Sequence, residues 1–349
     1  MRRPIHPVAD ARGSAGRHAP AGARKPIPLP VTRREMDARG WDACDVVIVS
    51  GDAYVDHPSF GAAVVGRFLE SLGYRVGILA QPDPSDPAAF LALGAPRLFW
   101  GVTAGNVDSQ LATWTVMRKR RRDDPYSPGG RAGRRPANAT IVYTSLARAA
   151  AKGVPVVIGG IEASLRRFPY YDYWTDKVRR SLLFDAKADY LVFGMAERAL
   201  AALAADLRDG RRPAGIRGTA EIRASPDGFS DPVILPSFEE VSAATEDGKA
   251  AFVAMTRTIF LEHHAARDRV LVQPHGDRWL VVHPPAHPLE PDELDRLYAL
   301  PFTRRPHPSY GNVAIPAYEM IRDSITTHRG CYAACAFCAI AMHQGAAVT

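Results

Sequence analysis

Three of the four cysteines of this chain lie within eight residues, close to its C-terminus. They are Cys331, Cys335 and Cys338, in the spacing C-x3-C-x2-C, and Phe337 precedes the last of them. Thiolates are soft ligands, and in proteins they usually bind zinc or the irons of iron–sulfur clusters. Three neighbouring cysteines without a fourth predict a [4Fe–4S] cluster that leaves one iron open to another ligand.

Two other roles for these cysteines stay open from the sequence. His328 or His343 could supply a fourth ligand and complete a structural zinc site, although C-x3-C-x2-C is not the usual zinc spacing. A disulfide framework is not indicated, because Cys44 is the only other cysteine of the chain. We expect Cys44 to fill a core or linker position.

Predicted strands and helices alternate ahead of the cysteines, and these elements must position any site. Short apolar runs bounded by turn residues predict buried strands, and an apolar period near 3.6 predicts helices. The predicted strands are 45–50, 75–80, 97–102, 154–158, 189–193, 323–327 and a hairpin of 269–273 with 278–282. The predicted helices are 60–72, 87–93, 108–117, 138–152, 175–184, 196–207, 238–264, 291–299 and 339–344. The alternation predicts an α/β fold, with a Rossmann-like parallel sheet covered on both faces.

Four segments that combine glycine or small residues with a polar group follow strands of this predicted sheet. They are 51–61, 103–106, 159–164 and 194–197. Ligands of open α/β sheets bind outside the carboxyl ends of the strands, and glycines let a ligand or a neighbouring chain approach the backbone closely. The sequence therefore predicts a crevice at this edge, with ordinary tight turns as the alternative.

The composition indicates a soluble globular protein without a membrane segment. Hydrophobic residues make up 46% of the chain and charged residues 23%. No apolar run approaches the roughly 20 residues of a membrane helix, and no apolar signal segment follows the N-terminal arginines. Together with the cysteine usage, these features predict a cytoplasmic protein.

A run of basic residues offers a different kind of site. The net charge is +7, and much of the positive charge lies in the N-terminal tail and between residues 118 and 135. Such a run can bind nucleic-acid phosphates, but it is more often a solvated loop, and aromatic residues are sparse around it. Nucleic-acid binding through residues 118–135 is therefore kept as an alternative function, beside a zinc-stabilised structural protein.

The cysteine spacing, with Phe337 before the last cysteine, resembles the signature of radical S-adenosylmethionine (SAM) enzymes. Longer motifs narrow the resemblance, and they cover the chain from about residue 30 to its end. The segments 51–61, 159–167, 171–174 and 326–331 are similar to those of the YgiQ family of radical SAM proteins.

This resemblance implies a function and its cofactors. It implies that Cys331, Cys335 and Cys338 bind a [4Fe–4S] cluster, that the open iron binds SAM, and that Phe337 lies near the SAM adenine. The expected activity is that of a radical SAM enzyme, which cleaves SAM to generate a 5′-deoxyadenosyl radical. The expected partner is a reductant such as flavodoxin or ferredoxin. Neither a substrate nor a catalytic residue is implied.

The predicted sheet also resembles the cobalamin-binding domains that precede some radical SAM cores. Those domains carry D-x-H-x-x-G, whose histidine ligates cobalt. Here Asp56 and His57 are adjacent, so the motif is broken. We therefore do not expect cobalamin to bind, and we expect His57 to pair with Asp56 at a site or to cap the following helix.

These expectations divide the chain into four parts. Residues 1–29 are predicted as a disordered extension, and 30–209 as the α/β, cobalamin-domain-like domain. Residues 210–316 are predicted as a connector with a helix and a hairpin, and 317–349 as the start of a (β/α) radical SAM barrel. Because such a barrel needs on the order of 200 residues, we expect the chain to be an incomplete fragment of the enzyme.

Overall fold

One nine-stranded β-sheet forms the centre of the fold. The computed structural model describes residues 25–262, 264–333, 335 and 337–349. Most of the predicted extension 1–29 therefore lies outside the described residues. The strands, including those of two small two-stranded sheets, are β1 (Val46–Ser50), β2 (Val55–Asp56), β3 (Val76–Ala80), β4 (Phe99–Thr103), β5 (Val156–Gly159), β6 (Tyr170–Asp172), β7 (Lys177–Arg179), β8 (Tyr190–Val192), β9 (Thr219–Arg223), β10 (Val233–Ile234), β11 (Leu271–His275), β12 (Arg278–Val282) and β13 (Arg305–Pro306).

Helices cover both faces of this sheet. They are α1 (Arg33–Asp37), α2 (Gly61–Ser71), α3 (Ser109–Thr113), α4 (Ala139–Ala150), α5 (Gly160–Leu165), α6 (Leu182–Ala186), α7 (Glu197–Arg208), α8 (Phe238–Ser242), α9 (Glu246–Glu262), α10 (Pro291–Tyr298), α11 (Pro316–Ile321) and α12 (Ala339–His343), with 3₁₀ turns at Pro87–Leu91, Pro128–Gly130 and Pro308–Tyr310. Among the described residues, no helix has both the length and the apolarity that crossing a membrane requires.

The strand order of the large sheet is β10-β11-β12-β9-β8-β5-β4-β1-β3. The five strands from β3 to β8 are parallel, which confirms the predicted α/β fold with its parallel sheet. Beyond β8 the sheet is mixed, because β9, β12 and β11 pair in antiparallel fashion and β10 lies parallel to β11. The predicted hairpin is therefore present and extends the same sheet.

Alternating side chains of the central strands enter two separate hydrophobic clusters. On β1, Val47 and Val49 belong to the cluster that also holds residues of α4, α6 and α9, whereas Val46 and Ile48 belong to the cluster that holds residues of α2 and α7. Because successive strand side chains point to opposite faces, a strand covered on both faces must be apolar throughout. Burying each of these side chains contributes roughly 1.5–3 kcal/mol to folding.

Two predicted helices are wrong. The predicted helix 175–184 is replaced by the β6–β7 hairpin and the short α6, because the Asp172 carboxylate accepts hydrogen bonds from the Trp174 amide and the Thr175 hydroxyl and closes a turn. The predicted helix 238–264 is divided into α8 and α9. Ala243 has an extended conformation there, and the Thr245 hydroxyl accepts a hydrogen bond from the Gly248 amide.

The predicted strand 323–327 is also wrong, since these residues are irregular and pair with no strand among the described residues. An extended segment becomes a strand only when a neighbour completes its hydrogen bonds. The predicted helix after the last cysteine is confirmed as α12. The three boundaries between the predicted parts, including the start of a barrel at residue 317, stay predictions.

Candidate functional site

The cysteine segment, defined here as residues 328–349, forms a loop that leads into α12. The Cys331 amide donates a hydrogen bond to the Gly345 carbonyl at 3.1 Å, and the Cys338 amide donates to the Cys335 carbonyl at 2.9 Å. All three thiols are free; Cys335 is exposed and the other two are partly exposed. The described part of the loop therefore presents its sulfur atoms to solvent and not to the core.

Arg329 anchors the start of this segment. Its Nε donates to the Tyr298 hydroxyl and its Nη1 to the Glu197 carboxylate, both at 2.8 Å. The guanidinium also lies over the Tyr298 ring, 5.2 Å from its centroid. Arg329 and Thr349 exchange backbone hydrogen bonds of 2.9 and 3.0 Å, so both ends of the cysteine segment are held at one point.

Gly330, next to this anchor, has a backbone conformation that favours glycine. Its φ is +85°, and a Cβ atom there would lie 1.9 Å from the Ala347 carbonyl oxygen. Its amide donates to the Gln344 side chain at 2.9 Å. A side chain at residue 330 would therefore displace the returning chain.

Helix α12 packs on the carboxyl edge of the sheet through His343. The Ser164 hydroxyl accepts a hydrogen bond from the Gly194 amide at 3.1 Å and lies 2.8 Å from His343 Nδ1. Burial lowers the pKa of His343 to about 4, so the ring is neutral near pH 7 and its Nδ1 can accept the serine proton. Ser164 thereby joins β8, α5 and α12.

The four segments predicted to form a crevice do lie at this edge, and each of them contacts another part of the protein chain. Segments 51–61 and 103–106 bind each other through Asn106, whose side chain accepts from the Gly61 amide at 3.1 Å and donates to the Ser59 carbonyl at 2.9 Å. Segments 159–164 and 194–197 contact the cysteine segment as described above. The predicted crevice is thus partly filled by the cysteine segment itself.

Segment 51–61 contributes Asp52 to a buried network of two carboxylates and one guanidinium. Arg135 Nη1 donates to Asp52 at 2.7 Å, and Nη2 donates to Asp124 at 2.8 Å. The Asn106 amide donates to the second Asp52 oxygen at 2.7 Å. Burial raises the pKa of Asp52 to about 7, against the lowering effect of Arg135. One cation shared by two carboxylates leaves an excess negative charge, and this excess is consistent with the raised pKa of Asp52.

Asp56 and His57 do not pair with each other. The Asp56 carboxylate accepts from Arg67 Nε at 3.0 Å and from the Thr303 amide at 2.9 Å. His57 is fully buried, its Nδ1 accepts from the Ser59 amide at 3.1 Å, and its Nε2 lies 3.5 Å from Arg304. Burial, and secondarily Arg304, lowers the pKa of His57. His57 thus closes the turn before α2, and cobalamin binding stays untested.

Arg167, from the motif at 159–167, is buried, and no carboxylate of the described residues pairs with it. It is 1% exposed, and its Nη1 donates to the Ser164 carbonyl. Its Nε and Nη2 have no hydrogen-bond partner in the part of the chain that the structure describes, and burial lowers the pKa of its guanidinium to about 9. The guanidinium lies 5.0 Å from the Phe193 ring centroid, so an aromatic face compensates part of the cost of burying it.

Half of the basic side chains of the run 118–135 make contacts within the fold. Arg118 donates to the Tyr173 carbonyl at 3.0 Å, Arg121 donates to the Leu111 carbonyl at 2.7 Å, and Arg120 lies over the Trp114 ring. Arg135 belongs to the buried network described above. Nucleic-acid binding through this run stays an untested alternative.

No three His, Cys, Asp or Glu side chains among the described residues converge to hold a metal ion. The donor set nevertheless suits an iron–sulfur cluster, because three accessible free thiols lie in one short loop. His343 is turned toward Ser164 and is a poor candidate for a fourth zinc ligand, and His328 lies beside Thr327. Cys44 is buried in the core, where burial raises the pKa of its thiol to about 11.

Sequence reasoning missed the groups that fix the cysteine segment. Tyr298 and Glu197 lie 31 and 132 residues before Arg329, and no local pattern connects residues so far apart. Glu197 carried a weak signal, since it belongs to one of the four strand-end segments. Ser164 carried a similar signal, at the end of segment 159–164.

The fold and this edge can now be compared with known proteins. A family model described as Radical SAM N-terminal matches residues 28–324. The chain therefore belongs to the Radical SAM N-terminal family. Within it, the chain is a homologue of the UPF0313 proteins, which include YgiQ, as the sequence motifs predicted.

Two curated relatives illustrate the similarity. The chain is 56% identical over 324 residues to the UPF0313 protein GSU2873 of Geobacter sulfurreducens, a match that covers 91% of this chain and 52% of that protein. It is 44% identical over 375 residues to the UPF0313 protein YgiQ of Escherichia coli, with 91% and 50% covered. The chain thus spans about half the length of the curated relatives it matches.

One solved structure shows a weak likeness. It is the radical S-adenosylmethionine methyltransferase TsrM from Kitasatospora setae with a tryptophan substrate and a SAM analogue bound. The TM-score is 0.35 at 24% identity, over 52% of this chain and 29% of that chain.

Proposed function

We propose that Cys331, Cys335 and Cys338 hold a [4Fe–4S] cluster with one iron open for S-adenosyl-L-methionine, and that the chain is part of a radical SAM enzyme. The observation that carries the proposal is the set of three accessible free thiols in a loop anchored on the sheet edge, in a chain of the Radical SAM N-terminal family. When bound and reduced, the cluster supplies the electron that cleaves SAM to methionine and a 5′-deoxyadenosyl radical.

The residues of this chain have separate tasks in the proposal. The three cysteines are the metal ligands, and Arg329 positions them through Glu197. Phe337 is the candidate contact to the SAM adenine, since its ring is 92% exposed beside the last cysteine and an aromatic face can stack on a base. A flavodoxin or ferredoxin is the proposed electron donor, and the protein is proposed to act in the cytoplasm. The substrate is not assigned.

Electron paramagnetic resonance of anaerobically reconstituted, dithionite-reduced protein tests the proposal. The protein is expressed at its full genomic length, and iron, sulfide and zinc are quantified first. We expect about four irons and four sulfides per chain, and a cluster signal that changes on adding SAM. Zinc without sulfide would overturn the cluster, and a cluster signal indifferent to SAM would overturn the SAM site.

Two variants and one control test the roles of Cys335 and Phe337. Cys335→Ala should abolish the cluster signal, whereas Cys44→Ala, which removes a buried thiol far from the segment, should keep it. Phe337→Ala should keep the cluster and its signal in the absence of SAM, and it should weaken the response to SAM. A Phe337→Ala variant with an unchanged SAM response would remove this residue from the site.

A further inference from the structure

An open, strongly basic cleft lies at the opposite edge of the sheet from the cysteine segment. Its volume is about 930 Å³, within the range of small-molecule sites. It lies where β5, β8 and β12 begin and α7 ends. Seven positively charged side chains and a single carboxylate, Asp189, line it; the cations are Arg148, Arg180, Lys187, Arg211, Arg212, Arg223 and Arg278.

Four of these cations already have carboxylate partners. Asp189 pairs with Arg148 at 2.9 Å and Asp206 pairs with Arg211 at 2.8 Å. Asp185 pairs with Arg180 and Glu221 with Arg223, at 3.0 and 2.7 Å. These arginines are therefore partly neutralised within the fold.

The other three cations of the cleft are Lys187, Arg212 and Arg278. Across the described ranges, no carboxylate lies within ion-pair distance of any of them, and all three are exposed. Arg278 lies over the Phe184 ring, 5.3 Å from its centroid. Three uncompensated cations around one concave surface attract a ligand that carries several negative charges.

We propose that this amino-edge cleft binds a small polyphosphate-bearing anion, such as a nucleoside triphosphate. Guanidinium groups present paired donors that match phosphate oxygens, and two of the three cations without a carboxylate partner are arginines. Arg212 donates a hydrogen bond to the Tyr190 side chain, which leaves its charge uncompensated. The site is separate from the cysteine segment and does not depend on the cluster proposed above.

The aromatic residues of the cleft favour a small polyphosphate over single-stranded nucleic acid. Grooves for single strands offer exposed aromatic rings on which bases stack. Phe184 and Tyr190 are 4% and 9% exposed, and the Phe184 ring is stacked on His275 at 4.4 Å. Recognition in this cleft must therefore come from charge and hydrogen bonding to phosphates.

Isothermal titration calorimetry with sodium tripolyphosphate tests the proposal on the full-length protein at low and high salt. The double variant Arg212→Gln, Arg278→Gln should weaken binding about tenfold or more, since it removes two charged donors to the phosphate oxygens. The control is Lys119→Gln, Arg122→Gln, which makes the same change of charge in the exposed basic run and should change the affinity less than about twofold. Cys335→Ala should bind as the parent protein does.

Three results would overturn the proposal. Absence of tripolyphosphate binding at low salt would show that the cations only offset the negative helix ends at this edge. Equal weakening by both double variants would show non-specific attraction. Tighter binding of a 15-nucleotide RNA, lost in the same cleft variant, would reassign the cleft to nucleic acid. Far-UV circular dichroism of each variant confirms folding.

Discussion

The two edges of the large sheet treat positive charge in opposite ways. At the carboxyl edge, Arg67, Arg135 and Arg329 are largely buried, and each is paired with a carboxylate. At the amino edge, Arg212 and Arg278 are exposed, without a carboxylate partner among the described residues. The paired cations hold segments of the chain in place, whereas the unpaired ones remain available to a ligand.

Desolvation explains this difference. A charge taken out of water is costly unless a partner and hydrogen bonds compensate it, so Arg67, Arg135 and Arg329 require their carboxylates. Arg167, which is equally buried at this edge, is compensated instead by the Ser164 carbonyl and the Phe193 ring. An exposed guanidinium keeps its water and needs no such partner. The comparison predicts that substitutions at the carboxyl edge change stability and segment position, and that substitutions at the amino edge change binding.

Among the variants considered, Asp56→Ala is expected to lower the free energy of unfolding most. It leaves the Arg67 guanidinium buried with Glu70 as its one charged partner among the described residues, and it removes the acceptor of the Thr303 amide. Breaking a buried ion pair costs about 3–5 kcal/mol of unfolding free energy, which urea unfolding measures. The control is Asp42→Ala, which removes an exposed carboxylate paired with Arg75 and should have a much smaller effect. Similar losses in both variants would contradict the comparison.

The next largest effect is a local loosening of the cysteine segment. Gly330→Ala adds a Cβ atom 1.9 Å from the Ala347 carbonyl oxygen, whereas Gly345→Ala, with φ of +87°, meets nothing within 4 Å. Both variants carry the backbone strain of a positive φ, about 1–3 kcal/mol, and only the first must also displace the returning chain.

Limited proteolysis, read by mass spectrometry, measures this effect without a cluster. Gly330→Ala should be cut within residues 328–349 considerably faster than Gly345→Ala. Equal cleavage rates would show that the contact between Gly330 and Ala347 does not hold the segment.

A pH dependence of stability is expected from the buried network at Asp52. The pKa of Asp52 is raised from 3.8 to about 7 in the folded state, so its contribution to stability is fully present below pH 3.8 and is lost as the pH rises through 7. Linkage limits the resulting slope to about 1.4 kcal/mol per pH unit. The difference between parent protein and Asp52→Asn in urea unfolding should follow this trend, and a difference independent of pH would contradict it.

The sequence was sufficient where the signal was local. The strand β1 is apolar throughout because both of its faces are covered, and the glycine-containing strand ends lie at one edge because parallel strands end together. The contact of Glu197 and Ser164 with the cysteine segment is consistent with that placement. The cysteine spacing predicts the ligands of a cluster, and this stays a prediction.

The sequence was insufficient where pairing over long distances decides the structure. The sequence does not predict strand β9, and it places the hairpin in a connector. Both belong to the large sheet through partner strands that are distant in the sequence. Residues 323–327 have strand-like composition but pair with no strand among the described residues. The adjacent Asp56 and His57 predict either a pair at a site or a cap for the following helix, whereas Asp56 instead accepts a hydrogen bond from Arg67 of α2.

The smallest effect on stability is expected at the amino edge. Arg212→Gln and Arg278→Gln remove exposed charges without a carboxylate partner, so each should change the unfolding free energy by no more than about 0.5 kcal/mol. The same pair should weaken tripolyphosphate binding about tenfold or more. Urea unfolding and calorimetry on one preparation measure both quantities. A large loss of stability in these variants would mean that the arginines hold the amino edge together, and the contrast between the two edges would fail.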